Sequence, residues 1–334
     1  MNILVIQTAY LGDVILTVPL VCGIRRAQPD AAITMLTTPA GARFASLIAP
    51  VNTVETFDKR GDESGVFALL KKGRALRQRR FDIVFCPHRS LRSGVIARMT
   101  GAPVRCGFDT GPASAFLNRK TSRRETEHAE SAIASLLECT GFPCPAPPFN
   151  DFFRVPAHEL EIARSRIGGR MIGGPLVTLV VGSAWATKRW PAGRFAMLAR
   201  GLSAQGCHVA IEGGPGDIPV GKEIRSIVGE SVADLTGNSL IEAAAVISIS
   251  DLVIGGDTGL VHLARMAGRP VIAIFGPTDD TIHVFGPRQK AVRAELPCRP
   301  CSRHGSDACP EKHFGCMLAI APETVVREAV GLLE

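Results

Sequence analysis

Aromatic side chains are scarce: 15 Phe, 2 Trp and 1 Tyr make up 5% of 334 residues. So few rings leave little on which bases could stack, and no nucleic-acid-binding motif stands in the sequence, so nucleic acid is excluded as a partner. No apolar run reaches the ~18 residues that a membrane-crossing helix requires. The apolar start, MNILVIQTAYLGDVILTVPL, has no basic leading region and is interrupted by Gly12-Asp13. It therefore reads as a strand and loop rather than a signal peptide, and a cytoplasmic chain is expected. In that compartment the ten cysteines are expected as thiols or metal ligands rather than disulfides. Asp-x-Asp, the spacing with which carboxylates at a strand end hold Mg²⁺, is missing; Asp279-Asp280 is adjacent and follows Gly-Pro-Thr in a turn. Internal repeats and low-complexity tracts are missing too.

What the chain does have is 46% apolar residues, enough for two buried cores at ~150 residues per domain. Short apolar runs alternate with amphipathic stretches in both halves, which predicts two α/β domains with parallel sheets. In the first half, strands are expected at Ile3–Ile6, Ala32–Leu36, Val54–Phe57 and Ile83–Cys86, and helices at Val14–Ala27, Val66–Arg80 and Leu91–Thr100. The second half repeats the scheme with strands at Leu176–Val181, His208–Glu212, Leu252–Ile254 and Val271–Phe275, and Pro322 opens a last helix. The proline-rich FPCPAPPFNDFF (Phe142–Phe153) cannot continue a helix, so the boundary is set there or just after: 1–155 and 156–334. The C-terminal helix is a candidate to pack back on the first domain. Two Rossmann-like domains facing across a cleft is the economical architecture.

Charge is uneven. Residues 1–160 hold 20 Lys and Arg against 14 Asp and Glu, and within 59–124 the ratio is 16 to 4. Either these are solvated surface arginines, or the first domain meets an anionic partner: an anionic lipid surface or a phosphorylated glycan.

The most informative stretch is DLVIGGDTGLVHLARMAGRPVIAIFGPTD, Asp251–Asp279. An apolar strand runs into Gly255-Gly256, Asp257 and Thr258 stand where a helix cap belongs, and Leu260, Leu263, Ala264 and Ala267 follow at helical spacing. A helix N-terminus at the carboxyl end of a parallel strand collects free N–H groups and the helix dipole. The stretch is thus an ordinary βαβ unit with Asp257 as its cap, or a site for a phosphate-bearing ligand.

Four more clusters follow strand ends. QTAYLGD (Gln7–Asp13) places Asp13 at a helix start, as an N-cap or as a carboxylate able to take a proton from an attacking hydroxyl. GSAWATKRWP (Gly182–Pro191) offers Ser183, Thr187 and the charge of Lys188 to phosphate oxygens, or is a surface loop with Trp190 plugging the core. EGGPGD (Glu212–Asp217) could close over a nucleotide, with Asp217 accepting from ribose hydroxyls. PHRSLRS (Pro87–Ser93) carries His88, Arg89 and Arg92, and with Lys59-Arg60-Gly61 it makes a basic rim. His283 and His208 read as incidental, and Trp185 either lines a ligand pocket or packs locally.

LGDVILTVP, the KRG turn, PHRSLRS, GSAWATKRWP and GGDTGLVHLARMAGRPVIAIFGPT, in that order along nearly the whole chain, resemble the family-9 glycosyltransferases. Within that family the chain is most similar to the ADP-heptose:lipopolysaccharide heptosyltransferases of the II type. The resemblance implies a two-domain GT-B fold and inverting transfer of L-glycero-D-manno-heptose from ADP-heptose to the lipopolysaccharide inner core. It assigns Asp13 as general base and Lys188 to the diphosphate. Asp257, Thr258, Gly259 and His262 go to the donor site, with Ser183, Thr187 and Asp217 beside them. Lys59, Arg60, His88, Arg89 and Arg92 suit an acceptor rich in carboxylates and phosphates, and could hold the enzyme peripherally on an anionic inner membrane. With no Asp-x-Asp pair, leaving-group charge is expected to fall to Lys188 and the helix N-terminus, with no cofactor required for catalysis. Other readings stay open: a nucleotide-sugar 2-epimerase of similar plan, or a binding protein without turnover.

Cys298-x₂-Cys301-x₇-Cys309-x₆-Cys316 is open between a structural four-thiolate zinc site, reduced structural thiols and redox pairs. Similar cysteine tails in the resembling family imply structure rather than catalysis.

Overall fold

The computed structural model describes residues 1–59, 61–122, 128–145, 149, 153–168, 173–283 and 286–334. The chain divides into two compact units, Met1–Arg154 and Val155–Glu334. Arg60, and residues 146–148 and 150–152 of the proline-rich segment, lie outside the described residues.

The first unit is built on β1 (Asn2–Gln7), β2 (Ala32–Thr37), β3 (Thr53–Thr56), β4 (Ile83–Cys86), β5 (Val104–Phe108) and β6 (Arg119–Thr121), ordered β3-β2-β1-β4-β5-β6. Every pairing is parallel; Ile3 stands opposite Ile33 on one side and Ile83 on the other. Ile3 to Ile6 are fully buried because helices cover both faces of such a sheet. Those helices are α1 (Leu11–Ile15), α2 (Val18–Ala27), α3 (Pro39–Ala45), α4 (Val66–Gln78), α5 (Leu91–Met99) and α6 (Ala129–Ala134).

One expected element is broken in two. The helix read over Val14–Ala27 stops after Ile15 and restarts at Val18. Pro19 has no N–H, and its ring would collide with the carbonyl four residues back, which is that of Ile15.

The second unit repeats the order. Its strands are β7 (Leu176–Val180), β8 (His208–Gly213), β9 (Val232–Thr236), β10 (Leu252–Gly256), β11 (Val271–Phe275) and β12 (Gln289–Arg293), arranged β12-β11-β10-β7-β8-β9 and again all parallel. In both units the strand order reverses beside the first strand, at the β1/β4 and β7/β10 pairs. In open α/β sheets ligands bind outside the carboxyl ends of the strands at this point.

The helices of this unit are α7 (Ala157–Ile167), α8 (Ala192–Ala204), α9 (Ile218–Val228), α10 (Leu240–Ile249), α11 (Gly259–Met266), α12 (Gly315–Leu318) and α13 (Pro322–Leu333). Helix α13 contributes to the second unit's core. Its Val325, Ala329 and Leu332 join Phe195, Leu198 and Leu202 of α8 over Leu179, Ile211 and Ile254. Gly201 makes this close approach feasible, since a Cβ there would stand 2.6 Å from Val326 Cγ2. Among the described residues no helix is long and apolar enough to cross a membrane.

Candidate functional site

At the β7/β10 reversal, the loop after β7 carries Lys188 and the turn after β10 carries Asp257. Adjacent strands bring the two together: Lys188 Nζ lies 2.6 Å from Asp257 Oδ2. Thr278, just past β11, donates its hydroxyl to the same oxygen at 2.8 Å. The other carboxylate oxygen faces His262 Nε2 at 3.1 Å and His283 Nε2 at 3.9 Å. Asp257 is only 6% exposed. Burial opposes its charge, but the His262 hydrogen bond and the Lys188 ammonium hold the carboxyl well below its ordinary range.

The protonation of His262 follows from its neighbours. Arg265 Nη1 lies 3.2 Å from His262 Nδ1, and a guanidinium can only donate, so Nδ1 is the bare nitrogen and Nε2–H donates to Asp257. Burial also pushes the imidazole pKa down, which favours this neutral form.

Neither Asp257 nor Thr258 caps α11 with its side chain, contrary to the expected role. Thr258 holds the N-cap position in extended backbone without a side-chain cap bond. Its hydroxyl oxygen is buried and has no hydrogen-bond partner among the described residues. Asp257 is drawn away by Lys188, His262 and Thr278, so among the described residues the N-terminus of α11 at Gly259 has no side-chain cap bond from its N-cap residue. A positive end of a helix beside a lysine is an arrangement that receives an anion.

The other donor-site candidates surround this pair. Gly256 lets the Lys188 loop close in, since a Cβ there would stand 2.8 Å from the Lys188 carbonyl oxygen. Asp217 packs against Gly182, where a Cβ would fall 2.0 Å from its Oδ2. That oxygen accepts from Gly214 N at 2.9 Å, while burial pushes the carboxyl pKa up. Ser183 Oγ accepts from Trp185 N at 3.3 Å. Thr187 turns its hydroxyl away from an open face: Oγ1 donates to Ser306 O and accepts from Ser306 N, both at 2.8 Å. Trp190 is the plug of the core, with its indole N–H on Met317 O at 3.1 Å.

The cysteine-bearing segment braces the site. Cys301 N and Ser302 N donate to Pro277 O at 3.0 and 3.1 Å, and Arg299 Nη2 donates to Thr278 O at 3.0 Å. Gly305 (φ +94°) lies against Trp185 and Lys188, with room for no side chain. All ten cysteines are free thiols.

Cys298, Cys301, Cys309 and Cys316 are the candidate zinc ligands. Zn–S bonds of about 2.3 Å in a tetrahedron place sulfurs about 3.8 Å apart. Among the described residues, the group of three or more ligand atoms within 4.8 Å of one another is instead Asp257, His262 and His283. Cys316 is buried in the core beside Met317 and Cys301 is exposed, yet the four thiols are near enough that Cys298, Cys301 and Cys309 help to push the Cys316 thiol up, after burial. At the Asp257 group the charge that a cation would supply comes from Lys188, at 2.6 Å. His283, which the sequence gave no reason to select, is thus part of the site: 6% exposed, its ring 4.8 Å from that of His262.

In the first unit the β1/β4 reversal gathers a hydroxyl-rich cluster. Thr8 Oγ1 and Ser93 Oγ lie 3.1 and 2.8 Å from His88 Nδ1, and Ser90 Oγ lies 3.2 Å from it. Ser90 also caps α5 by accepting from Ser93 N. Burial first, then the charges of Lys59 and Arg89, push His88 down to about 4. The two basic stretches meet, since Arg92 Nη1 donates to Lys59 O at 2.8 Å. Asp13 is half-buried and third in α1, whose N-cap is Tyr10, so its carboxylate is not the cap.

Residues 69–312 match the profile of glycosyltransferase family 9 (heptosyltransferase). The chain is 25% identical to lipopolysaccharide heptosyltransferase 1 of Pseudomonas aeruginosa, over 90% of this chain and 86% of that protein. It is 27% identical to lipooligosaccharide heptosyltransferase 2 of Haemophilus influenzae, over 83% and 84%. Among solved structures it resembles the family-9 glycosyltransferase of Veillonella parvula, with TM-score 0.86, 23% identity and coverage of 99% and 97%. It also resembles the Escherichia coli ADP-heptose heptosyltransferase II, with TM-score 0.79, 21% identity and coverage of 100% and 98%. These likenesses give the GT-B plan of two successive Rossmann-type units.

Proposed function

The chain belongs to glycosyltransferase family 9, and on that premise we propose that it transfers L-glycero-D-manno-heptose from ADP-heptose to the lipopolysaccharide inner core, with inversion. The observation that carries this reading is the Lys188–Asp257 pair beside the α11 N-terminus, at the strand-order reversal of the second unit. Departure of ADP leaves extra negative charge on the diphosphate, and a lysine with free helix N–H groups stabilises it as it develops. Thr258, Gly259 and His262 shape this subsite. Asp257 acts by holding Lys188 and His262 in place. Ser183 and Asp217 border it from the neighbouring loops, and Thr187 holds it through Ser306.

Asp13 is the proposed base, taking the proton from the acceptor hydroxyl as that oxygen attacks the anomeric carbon. Lys59, Arg60, His88, Arg89 and Arg92 are proposed to receive the acceptor's carboxylates and phosphates. The same basic face would let a cytoplasmic enzyme rest peripherally on an anionic membrane. No cofactor is required in this scheme. The type II reaction is its finer form, and relatives of both types share similar identity, 25% and 27%.

Incubation with ADP-heptose alone, then with heptose-free and singly heptosylated inner-core acceptors, tests the proposal by mass spectrometry of the glycan and by ADP release. Transfer only to the second acceptor, undiminished by EDTA, is expected. ADP release without an acceptor would favour an epimerase-like enzyme, binding without turnover a sensor, and Mg²⁺-dependent transfer would overturn the metal-free scheme.

A further inference from the structure

Cys106 and Cys139 form a thiol pair that takes no part in the proposed transfer. Parallel pairing sets Cys106 opposite Arg119 and Phe108 opposite Thr121, so Cys106, Phe108 and Thr121 share one face of the β5–β6 edge. The 3-10 turn Ser135–Thr140 packs against β5 and β6 and carries Cys139 as its fifth residue. Cys139 Sγ stands 3.0 Å from Thr121 Oγ1 on that same face, next to the Cys106 thiol and the backbone of Gly107. Cys106 is fully buried, whereas Cys139 is partly exposed. One thiol is thus reachable from solvent and the other is held against it out of reach.

We propose that Cys139 is a modification site for peroxides and other soft electrophiles, with Cys106 as its resolving thiol. The Cys139 thiolate attacks one oxygen of a peroxide, the O–O bond breaks, and hydroxide or alkoxide leaves. The Cys106 thiol then attacks the sulfenic sulfur, water departs, and a disulfide forms, so both thiols are oxidised by one peroxide.

Electrostatics favour the same direction. The adjoining Cys106 thiol brings Cys139 down to about 6, against burial and the charge of Glu138. Its interaction with Cys139, and then burial, push Cys106 up, with Arg119 opposing.

The test uses the full-length reduced protein. Brief hydrogen peroxide treatment, acid quenching and non-reducing peptide mass spectrometry should reveal a Cys106–Cys139 linked peptide. At pH 6, iodoacetamide should label Cys139 about tenfold faster than an ordinary exposed thiol, because the gain in thiolate fraction outweighs the loss of intrinsic nucleophilicity. Cys106→Ala should leave a sulfenic acid on Cys139 that dimedone traps, and Cys139→Ser should abolish both linkage and fast label. A disulfide from Cys139 to the neighbouring Cys144, or Cys139 labelling no faster than Cys144 or Cys301, would overturn the assignment even if the variants fold poorly, since both are read on the wild-type chain.

Discussion

A buried carboxylate with four partners governs the candidate site at the level of single residues. Asp257 holds Lys188 and Thr278 on one oxygen and His262 and His283 on the other. Removing Lys188 therefore does two things at once. It takes a charge from the anion subsite and strips a buried carboxylate of its cation. Lys188→Ala should raise the ADP Kd roughly ten- to a hundredfold, as loss of a charge-assisted bond worth ~1.5–3 kcal/mol implies. It should slow transfer as well and lower the melting temperature, because an uncompensated buried charge is costly. Calorimetry with ADP and a thermal melt check it; unchanged ADP affinity would remove Lys188 from the diphosphate. His88 offers a second measurement. Its pKa, about 4 in the fold, lies below the ~6.5 of an unfolded chain. Between those values the unfolded state binds the extra proton, so stability is present above pH 6.5 and is lost as pH falls toward 4. Urea unfolding at pH 7.5 and 5 should show wild type losing about 1–2 kcal/mol through this group, an increment missing from His88→Gln.

Elements differ in how far their sequence announces them. The central strands were legible because ILVI and VIAIF are apolar throughout and LVTLV is apolar but for Thr178, whose hydroxyl is hydrogen-bonded to Ser250, as strands buried on both faces require. Strands β6 (RKT) and β12 (QKAVR) are polar sheet edges without an apolar run, and nothing in their pattern separates them from loops. The split between α1 and α2 was readable from Pro19 and was passed over because apolar spacing continues across it. That split matters for Asp13. It stands third in α1 behind Tyr10, so replacing it leaves the N-cap residue in place, and Asn keeps its size and hydrogen-bonding capacity while removing a first-turn charge worth ~0.3–1 kcal/mol. Asp13→Asn should accordingly fold like wild type and keep its ADP affinity, while turnover falls about a hundredfold or more if it is the base. Steady-state transfer kinetics decide this. Near-normal turnover would leave Asp13 a helix residue and nothing more.

At the scale of the whole molecule, one strand order is used twice, β3-β2-β1-β4-β5-β6 and β9-β8-β7-β10-β11-β12, with no sequence repeat to announce it. Each reversal point gathers different chemistry. Hydroxyls, His88 and basic residues collect in the first unit, and an ion-paired lysine beside a free helix end in the second. The motifs themselves were visible in the sequence. The pairing of Lys188 with Asp257, 69 positions on, was not, because it depends on β7 lying next to β10. His283 and Ser306 were missed for the same reason: only the packed loops bring them to the site. If the basic excess of the first unit serves the acceptor, the two substrates should answer to different mutations. Arg89→Ala should raise the acceptor KM severalfold and leave the ADP Kd unchanged, the reverse of Lys188→Ala. Acceptor KM should also climb with salt, since exposed charge pairs are screened beyond ~8–10 Å at physiological ionic strength. ADP affinity should respond less, because the side chains of Lys188 and Asp257 are only 12% and 8% exposed. Kinetics from low to high salt with both variants measure the contrast. An acceptor KM indifferent to salt, or an Arg89 variant that loses ADP instead, would mean the two substrate roles have been given to the wrong units.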